Sequence, residues 1–152
     1  MRIQRIILAA LLLLPLPGLT DYDVERIKAT LDKHQQTFQI KDWQRDGLSG
    51  TLTADSGLKG LTITLEDHLA VMSEPFINKL MYGPAKKRCT HFGEIGLDAH
   101  NQTELIEITE TVAKAARRHA LSHYTLNNVR FEVLPKVVGP FVRLVCRVRP
   151  AP

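Results

Sequence analysis

The sequence predicts an α+β fold: about five mostly antiparallel strands packed by three helices, in the order α-ββ-α-β-α-ββ, with one disulfide. Two observations set the elements. Several stretches carry apolar residues every three or four positions, which marks an amphipathic helix, and others alternate apolar with polar, which marks a half-buried strand. A third observation sets the disulfide: the chain holds two cysteines, Cys89 and Cys146, behind an amino terminus laid out for export. The apolar strand faces need a helical layer to cover them, so the helices are expected on one face of the sheet.

The amino terminus, "MRIQRIILAALLLLPLPGLT", has a charged start in Arg2 and Arg5 and an apolar run over residues 6–14, followed by Pro15 and Pro17. A charged start followed by about 7–15 apolar residues and breakers is the layout of a secretory signal peptide. The run is shorter than the roughly 20 residues that span a bilayer. Residues 1–20 are therefore expected to be a cleaved signal, with retention as an uncleaved anchor the alternative and the only expected route to a membrane. Residues 21–152 then form a single α+β domain, exported to the periplasm or secreted.

Residues 23–40 are expected to be a helix, with Val24, Ile27 and Leu31 on its apolar face and Asp23 able to cap it. Residues 41–47 are polar and end in Asp-Gly, a turn signal. Leu52 and Ala54, then Leu61, Ile63 and Leu65, alternate with threonines on either side of "DSGLKG", which predicts a hairpin. In residues 66–82, Leu69, Met72, Phe76 and Leu80 make a helical stripe that Pro75 interrupts. "AKKRC" is expected to be a basic linker, and residues 91–97 a strand. Residues 101–124 form the clearest helix: Asn101 and Glu104 make a capping box, and acidic residues precede basic ones along it, as the helix dipole favours. "NNVRFEVLP" and "FVRLVCRV" close the chain as two strands.

Charge limits the function. The chain has 20 basic and 16 acidic side chains, and without Arg2 and Arg5 the balance is 18 against 16. So small an excess makes no case for nucleic acid. In an exported protein the even cysteine count favours a Cys89–Cys146 bridge over two buried thiols or a reactive Cys89 beside His91. On the last strand Val142, Leu144, Cys146 and Val148 point inward. Arg143, Arg147 and Arg149 then point outward, with Arg130 a neighbour on the preceding strand and Glu132 a partner for them. A bridge to Cys89 is expected to draw Lys86, Lys87 and Arg88 towards these arginines and make one basic surface. A solvated sheet face with internally paired arginines is the competing reading.

Metal chemistry has weaker support. His119 and His123 fall four apart on the expected helix, and His91 could add a third ligand, but no H-E-x-x-H or paired C-x-x-C pattern accompanies them. No nucleophile elbow, phosphate loop or dinucleotide-binding glycine pattern is present, so no cofactor is expected. The resulting expectation is a non-catalytic binding or accessory module, of the envelope or secretion machinery or of the inhibitor or immunity type. Its partner would be another protein or an anionic envelope component. A small hydrolase using the histidines, with or without zinc, and a carrier of a lipid or small apolar ligand are the alternatives.

Overall fold

The computed structural model describes residues 22–76 and 79–152; the expected signal peptide lies outside them. Among the described residues four helices and seven strands follow one another as α1 (Val24–Lys33), α2 (Gln35–Phe38), β1 (Ile40–Arg45), β2 (Leu52–Ser56), β3 (Thr62–Glu66), β4 (Leu69–Phe76), α3 (Lys79–Leu97), α4 (Gln102–Arg118), β5 (Ser122–Leu126), β6 (Val129–Val138) and β7 (Phe141–Pro150). The strands form one antiparallel sheet in the order β1-β2-β3-β4-β7-β6-β5. This corrects the expected five strands and three helices.

Three strands, β1, β4 and β5, are unexpected, one expected strand is helix and the first expected helix is divided in two, each for a local cause. Residues 23–40 do not stay helical. Asp23 caps α1 by accepting a hydrogen bond from the Arg26 amide, His34 breaks the helix, and Gln39 takes a left-handed conformation (φ 48°) that turns the chain into β1. β1 reads in sequence as a polar turn because a bulge between Ile40 and Asp42 shifts its inward positions from Ile40 to Trp43.

Residues 66–82 do not form one helix: Leu69–Phe76 is β4, and α3 begins at Lys79. Ala70, Met72 and Glu74 alternate inward, and the same stretch happens also to satisfy a helical spacing. Pro75 is tolerated there because it lies past the last β3 pair, Thr62–Ser73, where no ladder partner needs its missing N–H.

The expected basic linker and the expected strand at 91–97 are both helix, within α3. The side of α3 that meets the sheet is built largely from small residues, Ala85, Cys89, Gly93 and Gly96, together with Phe92. A search for large apolar residues passes over such a face. Gly93 and Gly96 are there for close approach. A Cβ on Gly93 would come within 2.8 Å of the Phe131 ring, and one on Gly96 would run into Val148.

α4 begins at the expected capping box, with Asn101 and Glu104 each satisfying the other's backbone amide. The backbone hydrogen bonds that Glu104 accepts from His100 and Asn101 hold its carboxyl below the usual range. The helix ends at His119 in a left-handed C-cap, and the chain from Ser122 is strand β5, so the expected helix to residue 124 is shorter.

Cys89 and Cys146 are bonded, with Cα atoms 5.9 Å apart and a separation of 57 positions in sequence. Closing a loop of that length stabilises by about 4 kcal/mol. The bridge pins α3 to β7. The inward faces of the strands, including Ile63, Leu65, Met72, Phe131, Leu144 and Val148, meet Ile27, Leu31, Phe92, Ile108 and Val112 from the helices in one buried cluster. Among the described residues the helices lie on this side only, and the other face of the sheet is uncovered.

Candidate functional site

The uncovered face is centred on β6 and β7. Their cross-strand register pairs Arg130 with Arg149, Glu132 with Arg147, Leu134 with Val145, Lys136 with Arg143, and Val138 with Phe141 on that side. Of these ten outward residues five are cations and one is an acid. On β4 the outward neighbours are Val71, Ser73 and Pro75. The far strands carry the opposite sign, with Asp42, Asp55 and Glu66 on the same side of β1, β2 and β3. The face is therefore segregated by charge.

Glu132 organises the basic half. Its side chain is only 6% exposed although no helix covers it, because the arginines close over it. Arg149 donates to Glu132 Oε1 from NH2 at 2.7 Å and from Nε at 3.2 Å. That hydrogen bond raises the Arg149 guanidinium further above its ordinary value. Arg130 Nε lies 3.2 Å from the same oxygen, but the angle is wrong for a hydrogen bond, so it adds charge only. The Arg147 side chain, directly opposite Glu132, makes no hydrogen bond or ion pair among the described residues. Arg143 donates to Ser73 Oγ at 2.7 Å and to the Gly60 and Ser73 carbonyls. Those partners are neutral, so the charge of Arg143 is uncompensated.

The inward set Val142, Leu144, Cys146 and Val148 and the outward arginines are where the strand alternation placed them. The expected union of the two basic clusters does not form. Cys146 faces the helices, so its bridge leads away from the arginines. Lys86, Lys87 and Arg88 sit on α3, on the other side of the sheet. Arg88 is also occupied: its Nε donates to Glu74 Oε2 at 2.8 Å and its NH2 to Glu74 Oε1, holding a carboxylate that is 6% exposed on β4.

On the helical side Lys86, Lys87, Thr90 and His91 border a groove of about 850 Å³, with α3 as its floor and α2 and α4 as its walls. His91 is held from both ends there. Its Nδ1 lies 3.0 Å from Glu94 Oε2 and its Nε2 lies 3.0 Å from His34 Nδ1. Both ring nitrogens of His91 therefore have a hydrogen-bond partner. The three sequence candidates for a metal do not meet. His91 is in this groove, His119 caps α4, and His123 is on the outward side of β5 opposite Glu132. Among the described residues no three His, Cys, Asp or Glu side chains are placed to hold a metal ion.

No family model, curated protein or solved structure matches this chain. Sequence reasoning missed His34 and Glu74 as partners. His34 is 57 residues from His91 and Glu74 is 14 from Arg88, and no local spacing announces either pairing.

Proposed function

We propose that this protein is a non-catalytic binding module of an exported compartment, the bacterial periplasm, and that it holds an acidic protein partner on the uncovered face of its sheet. The observation that carries this is the outward side of the β6–β7 hairpin: five cations, one buried carboxylate, and Leu134 and Val145 between them. Charge of one sign steers an oppositely charged partner and sets its orientation; Val145 is only 8% exposed and Leu134 half-buried, so charge and not apolar area carries recognition here. Strands β3, β4, β7, β6 and β5 together offer on the order of 600 Å² of plane, from strand length and spacing. A stable complex buries about 800 Å² on each side, so the face with its rim is of suitable size.

The buried disulfide supports an oxidising setting, and among the described residues no helix is long and apolar enough to cross a membrane. An accessory role in the envelope or secretion machinery, or an inhibitor or immunity role, fits such a module.

The test is a double variant, Arg147→Gln with Val71→Glu, at the cross-strand pair Val71–Arg147. Neither side chain forms a hydrogen bond or ion pair among the described residues, so the melting temperature should stay within about 3 °C of wild type. Capture of the acidic partner from an envelope extract should fall at least tenfold, about 1.4 kcal/mol. Unchanged capture would count against this face.

A further inference from the structure

The β6–β7 hairpin ends in a feature that neither the core nor the arginine face accounts for. Between Lys136 and Arg143 the chain reads Val137, Val138, Gly139, Pro140, Phe141, Val142. A strand in a one-layer sheet turns apolar residues to the core and polar ones to water. Here the alternation stops. Val138 pairs with Phe141 on the uncovered side, and Val137 pairs with Val142 on the helical side, so both faces of the tip are apolar. Neither side covers them: Val137 is 74% exposed, Val138 46% and Phe141 47%.

The apolar surface continues inward. Val142 pairs with Phe76 on β4, Phe76 packs on Tyr82 with ring centroids 4.5 Å apart, and the Lys86 ammonium sits 4.8 Å from the Tyr82 ring centroid. Behind the tip stand Lys136 and Arg143, directly opposite each other across the hairpin. Like charges in that position repel. Arg143 has only neutral hydrogen-bond partners.

We infer that the tip of the β6–β7 hairpin inserts into the headgroup region of an anionic lipid surface, with Lys136 and Arg143 on the uncovered side and Lys86 on the helical side as flanking cations. An apolar medium on both sides is what the loss of alternation calls for. A collar of cations one step behind an apolar wedge matches the order of layers at a bilayer with anionic headgroups. Tyr82 packs between Phe76 and the Lys86 ammonium, and amphipathic aromatic rings of this kind settle in membrane interfaces. A protein cleft could also surround a wedge, but the cross-strand pair of like charges finds its complement in a surface whose negative charge lies all around the hairpin. The collar shares Lys136 and Arg143 with the partner face, whereas the apolar tip itself, Val137, Val138 and Phe141, lies beyond it.

Co-sedimentation with lipid vesicles tests it, using protein as the host processes it and variants carrying the same amino terminus, so that differences report the tip alone. The probes are vesicles of phosphatidylcholine and vesicles containing about one-third phosphatidylglycerol, at low and high salt. Wild type should sediment with the anionic vesicles, less so with the neutral ones, and less at high salt. Val138→Glu with Phe141→Glu should reduce sedimentation at least tenfold, and Lys136→Gln should reduce it on anionic vesicles only. Phe141→Trp supplies a second reading: anionic vesicles should shift its emission to the blue beyond any change that Trp43 gives in wild type. Failure of wild type to sediment, equal sedimentation of the Glu variant, or an unshifted emission from the Phe141→Trp variant would overturn the proposal. So would tip-dependent capture of a protein without vesicle binding, which would assign the tip to a protein cleft.

Discussion

Glu132 shows how one buried side chain sets the character of a surface. Arg149 donates twice to one of its oxygens, Arg130 crowds the same atom, and Arg147 lies opposite. One carboxylate therefore holds together a patch that would otherwise repel itself. Glu132→Gln removes the charge, keeps the shape and leaves three guanidinium groups without a counter-ion. A charged hydrogen bond contributes about 2 kcal/mol, so the melting temperature should fall by roughly 6 °C in a thermal scan. The strand alternation makes Arg143, Arg147 and Arg149 legible as an outward set, and Glu132 legible as their neighbour. The convergence on a single oxygen is not legible, because it depends on the register that brings Glu132 opposite Arg147. Arg88 is less legible still. Its partner Glu74 lies in a stretch whose leucine, methionine and phenylalanine spacing suits a helix as well as a strand.

At the scale of elements, the same ambiguity separates what a sequence shows from what it hides. α1, α4, β2, β3, β6 and β7 follow from large apolar residues at one clean period. β1 was hidden by its bulge, β4 by a stretch that satisfies two periods, and α3 by a sheet-facing side made of alanine, cysteine and glycine. The glycines of α3 divide by environment, and this can be measured. Gly96→Ala drives a methyl group into Val148 and should destabilise by about 2 kcal/mol, the usual cost of overpacking a filled core, in spite of the better helix propensity. Gly83→Ala meets nothing within 4 Å beyond its chain neighbours, but its Cβ abuts the Pro84 ring, so the gain in helix propensity is offset and stability should stay within about 1 kcal/mol of wild type. Urea titrations of the two variants check both outcomes. If Gly96→Ala were as stable as wild type, α3 would not lie as close to the sheet as its glycines allow.

For the whole molecule, the disulfide decides which surfaces can cooperate. Because Cys146 turns inward, the bridge ties the basic start of α3 to the helical side and leaves the arginines on the other. Two separate cationic regions result: a groove on the helices, where Arg88 and His91 are held by Glu74, Glu94 and His34, and an open sheet face with uncompensated charge. The open face is the one assigned to a partner. Site-specific photo-crosslinking tests that assignment most directly, with the crosslinker at Val71 on the open face, at Thr90 in the groove, or at Glu107 on the exposed side of α4. An acidic protein should crosslink from Val71 and not from Thr90 or Glu107. Crosslinking from Thr90 or Glu107, with none from Val71, would contradict the assignment.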